Sequence, residues 1–257
     1  MSRSWKPLPN QRLQEFLVGN KIFDHLDGEV VVGEDPTISG IFNLTQSAIM
    51  TASDTQPFSL WFFDHWENET LGFVNRTTRA EEIISEAKRQ GFQNVNYVTH
   101  KLCSTPEEVI QTEAEALEAG FEGLMIRNPN AGYKFGRSTL KQQGLIKVKR
   151  YVDAEAKVIG FEELERNQNE QTRNAFGLAK RSSHKAGKVL AGTLGKLILE
   201  RDDGVQFACG SGLDYEMRDE IWQNQDRYLG KIVTYKFQAH GTLEKPRTPI
   251  FKGFREE

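Results

Sequence analysis

Cysteine is nearly missing from this chain: Cys103 and Cys209 are the only two among 257 residues. They lie far apart and show no metal-ligand spacing, which excludes a zinc-type cluster and a disulfide-stapled fold. They read as buried thiols of a reducing compartment, so the expected location is cytoplasmic. Long apolar runs are also lacking, and none reaches the length a membrane-spanning helix needs. Met1 to Gln11 is polar and holds Pro7 and Pro9, which does not fit a signal peptide. No internal repeat or low-complexity tract occurs. A strong excess of one charge is missing as well, since the net value is −3. What remains is 38% hydrophobic and 27% charged residues, the composition of a globular chain with one large core or two modest ones.

The mean charge hides an asymmetry. Arg127 to Arg150 holds seven Lys or Arg and no acid. Asn174 to Lys196 adds Lys180, Arg181, Lys185, Lys188 and Lys196, again without an acid. Much of the negative balance sits in helix-like stretches, Glu81–Glu86 and Glu107–Glu122. Clustered cations on a mildly acidic chain fit a polyanion-binding face, and equally a solvated basic surface.

Apolar periodicity predicts strands at Gly28–Val32, Phe58–Phe63, Val95–Thr99, Gly123–Arg127 and Leu145–Lys149. A helix is predicted from about Arg79 to Gln90. A second has Thr105 as N-cap, Pro106 at its first position and Glu108 completing a capping box. Ile110, Ala114 and Leu117 form its apolar stripe. The later part changes texture, with short strands at Ala156–Phe161, Leu194–Glu200, Val205–Cys209 and Lys231–Phe237 and one helix, Tyr215 to Gln223. That pattern suits a small β-barrel. Glu162–Val189 reads as a long polar, basic loop. The expected fold is α+β, with domains at 1–153 and 154–257 and the insertion at 162–189.

Several residues are candidates for chemistry. Lys147 and Lys149 alternate with Ile146 and Val148, so both lysines share one strand face. Two adjacent ammonium groups repel unless an anion lies between them, and phosphate is the natural ligand. An exposed edge strand is the plainer alternative. Glu122, beside Gly123 at a strand entrance, could hold a hard cation, although taken alone it reads as a solvated turn residue. Glu29 sits on an otherwise apolar strand with Val31 on its face, and a half-buried carboxylate there calls for a partner. The aromatic run around Phe63 could stack on a purine or fill a core.

In order, these pieces resemble the nucleotidyltransferase motifs of the ATP-dependent DNA ligase family. Ser2-Arg3-Ser4 is similar to the family's Ser-Arg element, and Asp27-Gly28-Glu29 to its third motif. Phe62-Phe63-Asp64 is similar to the one after it, Glu122-Gly123-Leu124-Met125 to the fourth, and Leu145 to Lys149 to the fifth. Gly192-Thr193-Leu194-Gly195, Gly210-Ser211-Gly212-Leu213 and Pro249 to Arg255 resemble the OB-fold domain of small bacteriophage-type ligases. The resemblance spans nearly the whole chain.

It implies that ATP adenylates a lysine, that AMP passes to the 5′-phosphate of a DNA nick, and that the 3′-hydroxyl then displaces AMP. Phe63 would stack on adenine. Glu29 would bind the ribose or help hold Mg2+, and Glu122 would hold Mg2+. Lys147 and Lys149 would contact the AMP phosphate, with Arg3 and Arg137 nearby. Nicked duplex DNA would meet Arg150, Lys180, Arg181, Lys185, Lys188 and Lys252, with a hinge near Asp153–Glu155. The processes implied are DNA repair, recombination or replication, performed by a monomer with no membrane attachment.

The sequence departs from the family at one place. Met1 stands at the Ser-Arg element, and the Lys-x-Asp-Gly that precedes it in the family is not found. The nearest match is His25-Leu26-Asp27-Gly28, whose place in the order is that of the third motif. The nucleophilic lysine is therefore expected to be absent from this chain. That leaves an incomplete or two-piece ligase, with a separate N-terminal fragment as partner, or a non-catalytic nicked-DNA-binding remnant. An RNA ligase or capping enzyme fits the C-terminal part less well.

Overall fold

The structure, a computed structural model, describes residues 6–173, 179–239 and 244–255. It divides into two compact units, Met1–Lys149 and Arg150–Glu257. Arg3 lies outside the described residues. Among the described residues no helix is long and apolar enough to cross a membrane.

The first unit contains α1 (Gln11–Gly19), β1 (Leu26–Val32), α2 (Ile41–Met50), β2 (Phe58–His65), α3 (Phe73–Arg89), β3 (Val95–Tyr97), α4 (Pro106–Glu118), β4 (Gly123–Arg127) and β5 (Leu145–Lys149). They form two separate sheets. One has the order β1-β2-β3, and the other is the antiparallel pair β4-β5. Leu13, Phe23, Leu60, Phe62, Ile84, Ala87 and Val95 make the core under the larger sheet. Helix α1 starts at Asn10, whose side-chain oxygen accepts from the Leu13 amide at 2.8 Å while its amide group donates to Ala48 at 3.2 Å. That second bond ties α1 to α2.

Helix α3 begins at Phe73, six positions before the expected Arg79. Its buried face includes Arg76 and Thr77, polar residues that break the apolar pattern in the sequence. Helix α4 has its predicted cap, with the Thr105 hydroxyl accepting from the Glu108 amide at 3.2 Å. Its expected stripe is corrected, however. Ile110 is 61% exposed and Leu117 38%, whereas Glu113 is buried. The helix turns its Val109–Glu113–Ala116 side inward, because periodicity fixes the spacing of a face but not which face wins.

The second unit contains β6 (Val152–Asn167), β7 (Gln171–Arg173), β8 (Ala179–Arg181), β9 (Lys188–Glu200), β10 (Gln206–Cys209), α5 (Tyr215–Gln223), α6 (Gln225–Tyr228), β11 (Ile232–Gln238) and β12 (Arg247–Phe254). Five strands pair in the order β10-β9-β6-β11-β12, all antiparallel. Just past β10, Ser211 forms an isolated bridge to Ile250 within β12. Leu194, Leu197, Leu199, Ile221, Val233 and Tyr235 fill the core. The Arg218 guanidinium on α5 donates to the carbonyls of Leu194 at 2.8 Å and Gly195 at 2.7 Å, fixing the helix on β9. Pro249 is accommodated because β12 is an edge strand.

The region 162–189 is not the long loop expected. β6 runs on to Asn167 and pairs with β9 from Lys188, through three register shifts. The β7–β8 hairpin continues beyond them. Polar residues on both faces hide such a strand from any hydrophobic period, since both faces meet water.

Candidate nucleotide site

Strands β4 and β5 create the centre of the site. Gly123 pairs with Lys149 and Met125 with Lys147, so the two lysines rise from one face. The anion they call for is in the chain itself. Glu122 accepts a hydrogen bond from Lys149 and lies 3.9 Å from the Lys147 ammonium. Gly123 makes this contact feasible: its φ is +148°, and a Cβ there would stand 2.4 Å from the Val148 carbonyl oxygen. Partial burial lowers the Lys147 pKa, and the neighbouring Lys149 lowers it further. Glu29 acts in the opposite direction on Lys147, which puts the third-motif carboxylate within electrostatic reach of the pair. Glu29 is exposed rather than half-buried, so no desolvation cost demands a partner for it.

Phe63 owes its position to a β-bulge. Gly28 pairs with Phe62 and Asp27 with Asp64, leaving Phe63 as the extra residue. Bulges re-aim side chains. Phe62 goes into the core, stacked 5.8 Å from Phe23, while Phe63 meets the Arg127 guanidinium at 5.8 Å from its ring centre. The bulge leaves no room at Gly28, where a Cβ would come 2.7 Å from the Trp61 carbonyl oxygen.

Next to Phe63, Asp64 is fully buried. Its two oxygens accept from Arg76 Nε at 2.8 Å and Arg76 Nη2 at 3.1 Å, and Arg127 approaches to 3.5 Å. Arg76 also donates to the Ala131 carbonyl at 2.9 Å. The Tyr133 hydroxyl donates to Asp27 at 2.8 Å. Burial first, then Asp27, raises the Tyr133 pKa, so this hydroxyl stays a donor at any working pH. Phe73, Arg76, Arg127, Lys134, Ser138 and Leu145 border a cleft of about 200 Å3. Arg137 lies between two of its lining residues, Gly136 and Ser138.

The sequence reading missed Asp64, Arg76, Arg127 and Tyr133 as a group. The available signal was an aspartate ending an aromatic strand, a residue type rarely buried unless paired.

In the second unit the expected cations are spread along one arm and one edge. Lys180 and Arg181 are on β8 and exposed, and Arg181 donates to Gln171 at 3.2 Å. Lys185 is exposed in a single 3-10 turn. Lys188 pairs with Glu165 at 3.0 Å and Lys252 with Asp153 at 2.6 Å. Arg150 is exposed at the start of the unit.

A unit with paired lysines, a shared carboxylate and a bulged aromatic, followed by a five-stranded sheet with a capping helix, has the organisation of a nucleotide-handling enzyme with an appended nucleic-acid module. Residues 1–149 match the family model "ATP dependent DNA ligase domain", and residues 186–255 match "DNA ligase OB-like domain". The chain belongs to the ATP-dependent DNA ligase family. Among solved structures, a Chlorella virus DNA ligase-adenylate is 30% identical, with 100% of this chain and 86% of that chain covered and a TM-score of 0.51. A Lig E DNA ligase shares the fold at 23% identity, covering 91% of this chain and 80% of that chain with a TM-score of 0.64. No curated protein sequence matches.

Proposed function

We propose that the chain seals nicks in duplex DNA through an adenylated 5′-phosphate, and that Glu29, Phe63, Glu122, Lys147 and Lys149 handle the adenylate. The observation that carries this reading is Glu122 set against both lysines. A phosphate entering there replaces the carboxylate as their counter-ion and frees Glu122. Phosphoryl transfer is catalysed mainly by positioning and by charge held on the phosphate oxygens, which two ammonium groups on a rigid strand supply.

A Mg2+ ion fits this donor set in one way. Among the described residues no group of three His, Cys, Asp or Glu is arranged to hold a metal. Mg2+ commonly takes one or two carboxylates and completes its shell with phosphate and water. Glu122 and Glu29 would be those carboxylates, and the ion would add positive charge at the phosphate. In the sealing step the 3′-hydroxyl oxygen bonds to the 5′-phosphorus as the bond from that phosphorus to the AMP phosphate oxygen breaks; the hydroxyl proton passes to water, and Lys147 and Lys149 stabilise the departing AMP phosphate.

None of the 257 residues forms Lys-x-Asp-Gly. The first step would thus use a lysine from outside them, in the same polypeptide or in a separate N-terminal fragment. The same observation favours a second reading, in which the chain holds nicked DNA without sealing it. Arg3 and Arg137 would assist at the phosphate. Arg150, Lys180, Arg181, Lys185, Lys188 and Lys252 would contact the DNA backbone. The test is incubation of the chain with a nick already carrying 5′-AMP, with Mg2+ and without ATP. Sealed product supports the ligase reading. Tight nick binding without product supports the second reading and refutes the first.

A further inference from the structure

The two halves of the proposed site stand on different sheets. Glu29 and Phe63 belong to β1-β2-β3, while Glu122, Lys147 and Lys149 belong to β4-β5 or its entrance, and among the described residues no strand pairing joins the two sheets. Strand pairing therefore does not set the distance between the adenine end and the phosphate end. Two backbone bonds, Tyr133 N–H to the Glu69 carbonyl at 2.7 Å and Val74 N–H to the Pro129 carbonyl at 3.2 Å, hold the β4–β5 connection to the segment after β2; the strands themselves are tied by side chains. Arg127, the last residue of β4, reaches Asp64 on β2 at 3.5 Å, and its guanidinium lies 5.8 Å from the Phe63 ring and 5.0 Å from Phe73. Glu122 directly precedes the other end of the same strand, so one short element separates Arg127 from the carboxylate.

Asp64 is itself clamped by Arg76, whose remaining nitrogen holds the Ala131 carbonyl in the β4–β5 connection. Tyr133 in that connection ties back to Asp27. These contacts converge on Phe63 and its bulge, where a small shift would be felt by a stacked base.

We propose that Arg127 is a positioning residue which, through Asp64, aligns the phosphate-binding strand pair with the adenine-binding bulge. The inference rests on the nucleotide-site reading above. Two half-sites held in line bind a joined ligand far better than either half binds its fragment, and misalignment removes the gain without touching either half.

The experiment compares three probes on the full chain: adenosine, inorganic tripolyphosphate and ATP, each with Mg2+. Arg127→Met is expected to weaken ATP binding at least tenfold and leave the two fragments within about twofold. Arg127→Lys keeps a charge for Asp64 and should recover most of the loss. Tyr133→Phe removes the second tie with little change in shape and should weaken ATP about threefold with the fragments unaffected, which keeps the idea testable should Arg127→Met fail to fold. Equal losses for ATP and one fragment would show direct contact with that half and overturn the alignment role. Unchanged ATP affinity in Arg127→Met and Tyr133→Phe would overturn it too. Absence of ATP binding by the unaltered chain would overturn the site reading and this inference together.

Discussion

Replacing Asp64 by Asn should cost the first unit about 3–5 kcal/mol, the range for breaking one partner of a buried ion pair. The side chains of Asp64 and Arg76 are 0% and 2% exposed, so water cannot screen the loss. Two charge-assisted hydrogen bonds weaken, and the Arg76 guanidinium keeps its full charge in the interior. Its carbonyl partners, Leu71 and Ala131, offset only part of this. Urea unfolding gives the measurement. With Trp5→Phe and Trp222→Phe as background, the remaining tryptophans, Trp61 and Trp66, lie on β2 or directly after it in the first unit. At a slope of about 2 kcal/mol/M the fluorescence midpoint should fall by roughly 1.5–2.5 M. Asp64→Leu combined with Arg76→Met should lose less than Asp64→Asn alone, because the fully buried Arg76 charge goes with its partner and only the partly exposed Arg127 is left without Asp64. A loss below about 1 kcal/mol in Asp64→Asn is what an exposed pair would show, and it would refute the buried-clamp reasoning.

Lys149→Met should slow sealing of a pre-adenylated nick by about 100-fold, the usual effect of removing one preorganised charge-stabilising donor, read in single-turnover rates. The depressed Lys147 pKa means its ammonium is lost at a lower pH than an ordinary lysine's. Sealing should therefore decline early on the alkaline side, and Lys147→Arg should move that decline upward in a pH–rate profile. Neutralising Lys185 should reduce the log–log salt slope of DNA binding by about one unit. Lys188→Gln and Lys252→Gln should reduce it less, because Glu165 and Asp153 already neutralise them; an equal reduction at all three would contradict this ranking.

How much of this was legible depends on whether the signal was local. The Thr105–Pro106 cap, the Tyr215–Gln223 helix and the β4 and β5 strands follow from neighbours in sequence, and they stand where expected. Paired lysines on one face also follow from simple alternation. Their counter-ion does not, since Glu122 is 27 positions from Lys149. Helix α2 carries no acidic first turn and no side-chain cap, so nothing marked its start. The Phe63 bulge depends on a mismatch between two strands, a property of the pair rather than of either segment. The Asp64 clamp joins a strand, a helix and a second strand, and no one-dimensional pattern encodes it.

The long β6–β9 ribbon has a consequence of scale. The core residues of β6 and β9 lie inside Ala156–Phe161 and Leu194–Leu199, and the strands continue outward as a paired arm to Asn167 and Lys188. Six residues at about 3.3 Å each give an arm of about 20 Å. Duplex DNA rises 3.4 Å per base pair, so this arm has the length of about six steps, or somewhat more than half a helical turn. Were the arm laid along the duplex as proposed, its length would act as a ruler: adding or deleting a residue pair would change the footprint by about one base pair while leaving the core of the second unit untouched.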